Sequence, residues 1–147
     1  MTLHDPGPEA SDAAGLFSLL YVSEMTRPDA HELGRICEQS RLNNARDHIT
    51  GLLVFDGHAF CQFVEGSERA IAALLARLEG DPRHGNMRRL QFGPRAGPRR
   101  FPRWRLGYAY SADPSAIARM RVTRDAAAIL AFERWAPELT ERGATDD

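Results

Sequence analysis

Lysine is missing from this chain: all 19 basic residues are arginine. Its absence excludes Schiff-base chemistry and a P-loop lysine. Cysteine is scarce as well. Cys37 falls on an expected helix and Cys61 in an expected strand, with no C-x-x-C spacing and no secretory context to favour a disulfide, so both are expected to be reduced core residues. The five histidines have no H-x-x-x-H or other ligand spacing, and His31, His48, His58 and His84 fall in separate elements, which argues against a metal site. No stretch approaches the ~18 consecutive apolar residues that cross a bilayer, and the N-terminal segment lacks the apolar run of a signal peptide. A soluble, cytoplasmic protein is expected. Charge of either sign is not in excess, because the net value is −1. That gives no general pull toward nucleic acid or anionic lipid, although arginines gather at Arg88-Arg89 and from Arg95 to Arg105.

What remains is enough for one domain with a full core, since the chain has 147 residues. Residues 1–15 are rich in Pro, Gly, Ala and acids and are expected to form a mobile tail. Residues 16–110 carry the periodic pattern, 111–137 a helical extension, and 138–147 a flexible end. Leu16–Ser23 is a run of β character between Gly15 and Arg27-Pro28. Asp29 can cap a helix whose stripe is Leu33, Ile36 and Cys37, continued by Ser40 and Asn44. Eleven residues separate Leu33 from Asn44, about three turns at roughly 3.6 residues each, so a helix that runs that far points Asn44 inward. The other reading is that Asn43-Asn44 ends the helix as a cap.

Two strands, Ile49–Phe55 and Ala59–Val64, then flank Asp56-Gly57, a tight-turn dipeptide. Gln62 is out of place among Phe60, Cys61, Phe63 and Val64. A buried amide left unpaired costs about 1–3 kcal/mol, so something polar must face it. A second helix carries Ile71, Leu74, Leu75 and Leu78 on one face and ends at Asp81-Pro82 and Gly85. Met87–Phe92 reads as a fourth strand and Pro94 to Pro102 as a long loop. Trp104–Tyr110 reads as a fifth strand, with Trp104, Leu106 and Tyr108 on one face. The order βαββαββ predicts an α+β, ferredoxin-like sandwich with a five-stranded mixed sheet and two helices on one face. Because the hairpin strands are apolar at both parities, the second face also needs cover. Candidates are two C-terminal helices bearing Ala116, Ile117 and Met120, then Ile129, Leu130, Phe132 and Trp135, with Pro137 ending the order, or else a partner subunit.

Tyr21 at the end of the first strand, Asn44 on the first helix and Gln62 in the hairpin can converge beneath the two helices. With the pieces LLYVS, NNARDHITGLLVFDG, FCQFVEG, DPRH and RRFPRW, in this order and spacing from about Leu16 to Tyr110, the chain resembles the BLUF family of blue-light sensors that hold flavin adenine dinucleotide. The resemblance implies FAD as cofactor, with FMN or riboflavin as alternatives, and no catalytic residue. It implies that Tyr21 is the electron donor to the excited flavin and that Gln62 lies between Tyr21 and the ring. Asn44 matches the asparagine on the ring's polar edge, with Asn43 beside it and Ser40 a turn earlier. Arg77 and Asp81 match second-helix positions near the flavin, and His84 follows in DPRH. Trp104 matches a tryptophan that lies near the glutamine in some members and swings out in others. Leu106 stands where the family often has methionine, so a weak thioether acceptor is missing while packing volume is kept.

The implied mechanism is electron and proton transfer from Tyr21, followed by rotation or tautomerisation of Gln62 and a red shift of the absorption. Beside that reading, Tyr21 alone is an ordinary strand-end tyrosine, Trp104 an ordinary core residue, and Arg77–Asp81 an i,i+4 surface pair. A flavin-binding or interaction module without an efficient photocycle is the alternative function. An acylphosphatase-like hydrolase would need an anion-cradling glycine loop near the first strand, and none is legible between Tyr21 and Asp29. Only about 37 residues follow Tyr110. Output is therefore expected through a downstream protein partner or through self-association as a homodimer or larger homo-oligomer, with neither nucleic acid nor membrane involved.

Overall fold

The computed structural model describes residues 12, 15–27 and 29–140. The expected mobile tail over 1–15 lies outside the described residues except for Asp12 and Gly15, as do 141–147 of the expected flexible end. Five strands, β1 (Leu16–Met25), β2 (Thr50–Phe55), β3 (Ala59–Gly66), β4 (His84–Arg95) and β5 (Gly107–Tyr110), form one sheet in the order β4-β1-β3-β2-β5. Every neighbouring pair is antiparallel except β2–β5, which is parallel, so the sheet is mixed and the α+β expectation holds. The hairpin between β2 and β3 turns where expected. Gly57 takes φ 98, and the Asp56 carboxylate accepts from the N–H groups of His58 at 2.9 Å and Ala59 at 2.7 Å.

Helices α1 (Ala30–Asp47) and α2 (Glu68–Glu79) lie over one face. Asp29 caps α1 by accepting from His31 N–H at 2.8 Å, and Ser67 caps α2 by accepting from Ala70 N–H at 3.1 Å. α2 sits down on the sheet through Ile71, Leu74 and Leu75, packed with Leu19, Tyr21, Ile49 and Val64. α1 stands farther off: it buries only Ile36, Cys37 and Asn44, and it approaches no strand as closely as α2 approaches β1.

The opposite face is covered by α3 (Ala116–Arg121) and α4 (Asp125–Thr140). Ile117, Met120, Ala128, Phe132 and Ala136 close over Leu20, Val22, Leu52, Val54, Cys61 and Phe63. The cover that a partner subunit was a candidate to supply is thus provided within the chain. Several expectations need correction. α4 does not stop at Pro137 but continues to Thr140, where the apolar stripe of Phe132, Trp135 and Ala136 carries on to the partly buried Leu139. Leu130 is exposed rather than part of that stripe. β4 extends well beyond Met87–Phe92 because β1 supplies backbone partners from Leu16 to Met25, so part of the expected loop after Pro94 is strand.

The fifth strand is shorter than expected, and the face assignment at its start is wrong. Trp104 precedes the strand and packs with Phe101 on the α4 side, whereas Leu106 and Tyr108 lie on the α1 side with Ile36, Cys37 and Leu53. Strand alternation does not apply before Gly107, where the backbone is not yet extended into the sheet. Gly107 itself is required by close approach: a Cβ there would fall 2.3 Å from the Trp104 ring.

Candidate functional site: a sheet-backed slot beneath two helices

Strand register aligns one row of side chains across the sheet under the helices. Tyr21 pairs with Gln62, Gln62 with Leu53, and Leu53 with Tyr108. Gln62 is 5% exposed, and the polar group that its burial demanded is the Tyr21 hydroxyl, which donates to Gln62 Oε1. Burial pushes the Tyr21 phenol far above its ordinary value, so a bare tyrosinate is strongly disfavoured there.

On the helix side, α1 continues past Asn44 to Asp47, and His48 is the C-cap in the left-handed conformation with φ 56. Asn43-Asn44 is therefore not the cap. Asn44 faces inward, 1% exposed. Its Nδ2 donates to the Arg105 carbonyl at 2.5 Å, and its Oδ1 is buried without a partner. A buried amide oxygen with nothing to accept is costly. It fits a ligand that presents an N–H, as the carbonyl–NH edge of a flavin does, so the residues present suit that group. Ser40 and Asn43 are half-buried on the same stretch of α1.

The other expected residues divide. His84 opens β4, and its Nδ1 lies 2.9 Å from Ser23 Oγ, with its ring against those of Phe60 and Tyr21. Burial pulls the His84 imidazole below its ordinary value. Arg77 and Asp81 do not form an i,i+4 pair, because α2 ends at Glu79 with Gly80 as cap and leaves Asp81 off the helix. Arg77 Nη2 lies 3.6 Å from Asp47 Oδ2 at the C-terminal end of α1, and Asp81 is bound by Arg83 at 2.7 Å. The Arg83 guanidinium holds the Asp81 carboxyl below the usual range. Trp104 is away from Gln62, on the other face of the sheet, while Leu106 is fully buried on the Gln62 face.

Arg83 was missed in the sequence, although it sits inside DPRH. It also reaches Glu32 at 3.7 Å and so ties the loop after α2 to the start of α1. Beside it a cavity of about 570 Å³, lined in part by Met25, Arg27, Glu32 and Arg35, opens between the first turn of α1 and that loop. Asn44 was legible only in part, and Arg41 was missed. Their bonds go to the backbone carbonyls of Leu106 (3.3 Å) and Arg105, which no side-chain pattern announces.

These features define a small α+β domain in which a buried tyrosine–glutamine pair on the sheet lies beneath a helix that turns an unpartnered amide oxygen inward. The family model described as sensors of blue-light using FAD matches residues 16–107. The chain belongs to the BLUF family of blue-light flavin sensors, whose domain is a sensor module and not an enzyme. Over 93 residues it is 32% identical to the photoactivated adenylate cyclase subunit beta of Euglena gracilis, a match covering 63% of this chain and 11% of that protein. The chain thus spans a small part of that relative's length. Among solved structures, BlrB, a BLUF protein in its dark state, is 32% identical with a TM-score of 0.63, covering 71% of this chain and 80% of BlrB. The ground state of BlsA is alike in fold, at 21% identity and a TM-score of 0.68, over 89% of this chain and 91% of BlsA. Among the described residues no helix is long and apolar enough to cross a membrane.

Proposed function

We propose that the chain senses blue light by means of a flavin held between α1 and α2, with Tyr21 and Gln62 as the switch. The observation that carries the reading is the buried Tyr21–Gln62 hydrogen bond, in which the phenol donates to the amide oxygen. Asn44, with Asn43 and Ser40, would hold the ring's polar edge. Arg77, Asp81 and His84, joined by Arg83, would close the far side. FAD is the form that the family description supports, and FMN and riboflavin share the same ring.

A bound flavin supplies the blue absorption and an excited state able to accept an electron. Because burial makes a free tyrosinate costly, the hydroxyl proton does not leave ahead of the electron, and once Tyr21 has given up an electron its proton has the existing bond to Gln62 Oε1 as a path. An amide is a donor at one end and an acceptor at the other. Exchanging its ends, by rotation or by tautomerisation, alters what Gln62 offers to the slot while the surrounding core keeps its volume. Trp104 takes no part in this reading, since it stacks on Phe101 at 5.8 Å on the other face.

The test is the visible spectrum of the purified, flavin-loaded protein before and after brief blue illumination. A reversible red shift that is lost in Tyr21→Phe supports the assignment. Bleaching without a shift would replace it with a flavin-binding module lacking the switch, and a protein that takes up no flavin after reconstitution would overturn it.

A further inference from the structure

Three residues beyond Gln62 on β3, and on the opposite face of the sheet, Glu65 is fully buried. A carboxylate removed from water is costly unless its oxygens are met by donors. Oε1 accepts from Arg95 Nη1 at 2.9 Å, and Oε2 accepts from the backbone N–H groups of Arg100 at 2.6 Å and Phe101 at 3.0 Å. All three donors belong to the end of β4 and the segment that leads from it to β5. The proposed photochemistry has no use for this carboxylate.

The same segment is anchored at three further places, one of them Arg99, whose Nη1 donates to Thr50 Oγ1 at 3.0 Å and to the Glu65 carbonyl at 3.2 Å. At its far end, Asn44 Nδ2 holds the Arg105 carbonyl, Arg41 Nε holds that of Leu106, and Gly51 N–H holds that of Trp104 at 2.9 Å. Toward α4, Arg100 Nε lies 2.5 Å from Glu133 Oε1, and the Phe101 ring meets Phe132 edge-on. Residues 95–106 therefore touch both the residue assigned to the flavin edge and the helix on the opposite face. Between those ends the backbone has no regular structure of its own. Without its anchors a connection of that kind would absorb a small displacement.

We infer that Glu65 is a positioning residue for signal output: its carboxylate pins residues 95–101, so that a shift at the Asn44–Arg105 contact reaches α4 through Arg100 and Phe101. This rests on the photoreceptor reading above. It makes α4 the surface whose mobility or exposure changes with light.

The experiment is hydrogen exchange by mass spectrometry on the full, flavin-loaded chain, dark and illuminated, with absorption recorded on the same samples. In Glu65→Gln the red shift should persist, dark exchange over 95–106 should rise about tenfold, as loss of a charge-assisted buried bond allows, and the light-dependent change over 125–140 should fall several-fold. Arg100→Ala keeps the backbone N–H that meets Glu65 but removes the link to Glu133. It should leave 95–106 protected and still diminish the light-dependent change in α4. An undiminished light response of 125–140 in Glu65→Gln would overturn the inference, and should that variant not fold, the same result in Arg100→Ala would do so. A red shift without any light-dependent change at α4 in the unmodified chain would also overturn it. An unmodified chain without a red shift removes the signal and the inference with it, and the absorption record reports that failure separately.

Discussion

Tyr21 and Gln62 face one another across the β1–β3 pair, and the phenol donates to the amide oxygen with both groups buried. Tyr21→Phe removes the donor and leaves Gln62 Oε1 without a partner in the core. We expect flavin to be retained, the light-induced red shift to be abolished, and stability to fall by about 1–3 kcal/mol. Gln62→Leu replaces the amide with an apolar group of similar size and strands the Tyr21 hydroxyl, with the same optical result. Difference spectra and urea unfolding read the two effects separately. A red shift that survives in Tyr21→Phe would show that the proton has another route.

Asn44 is the position where cofactor binding and fold are hardest to separate, because one end of its amide already serves the Arg105 carbonyl. Asn44→Asp keeps the size and an acceptor but loses that donor, and it places a carboxylate against a carbonyl oxygen. Asn44→Ala loses both ends. If the free Oδ1 is the flavin acceptor, Asn44→Ala should bind flavin at least about tenfold more weakly, roughly the worth of one buried hydrogen bond to a ligand, whereas Asn44→Asp keeps the acceptor and should lose mainly the tie to Arg105. Flavin fluorescence titration of the apoprotein measures this. Equal affinity in Asn44→Ala would remove the residue from the site.

How much of this was legible beforehand depended on which physical signal each residue leaves in a sequence. The unbroken apolar run of β3 made Gln62 visible as a polar residue among buried neighbours, and the helical stripe of α1 put Asn44 on its inner face. Both signals are local. Trp104 was misplaced because period-two alternation was extended backward through residues that are not in a strand. Arg83 and Glu65 were passed over for a different reason. Their partners lie in other elements, and charged residues beside loops carry no pattern that distinguishes a buried bond from a solvated one. The lengths of β4 and α4 were underestimated because arginines and Pro137 count against an element locally, whereas β4 pairs with β1 and the apolar stripe of α4 carries on to Leu139.

Gly107 marks where Trp104 lies over the backbone, and it offers a test of that placement. A methyl group at this position would stand 2.3 Å from the ring and 2.8 Å from its bridging carbon. Gly107→Ala must therefore push the indole off its stack on Phe101. Overpacking of this kind costs about 1–3 kcal/mol. In a Trp135→Phe background, tryptophan emission reports only on residue 104, and it should shift to the red as the ring gains solvent. Unchanged emission and stability would mean that the indole does not occupy this position.

His84 is held in a place that disfavours its charge: the ring rests on Phe60 and beside Tyr21, and its Nδ1 meets the Ser23 hydroxyl. Burial lowers its pKa from 6.5, with Asp81 pulling it back up and Arg83 opposing. The unfolded chain therefore binds a proton here at a higher pH than the folded one does. Stability from this group is fully present above about pH 6.5 and is lost as pH falls from there toward the folded value, with a slope of at most about 1.4 kcal/mol per pH unit. Asp81 works in a separate window, since its lowered pKa costs stability only in stronger acid, below 3.8. Urea midpoints of the chain and of His84→Gln at pH 7.5, 6 and 5 should diverge at the high end and converge on acidification. Parallel curves would mean that His84 is solvated, and would take with it the closed wall behind Tyr21.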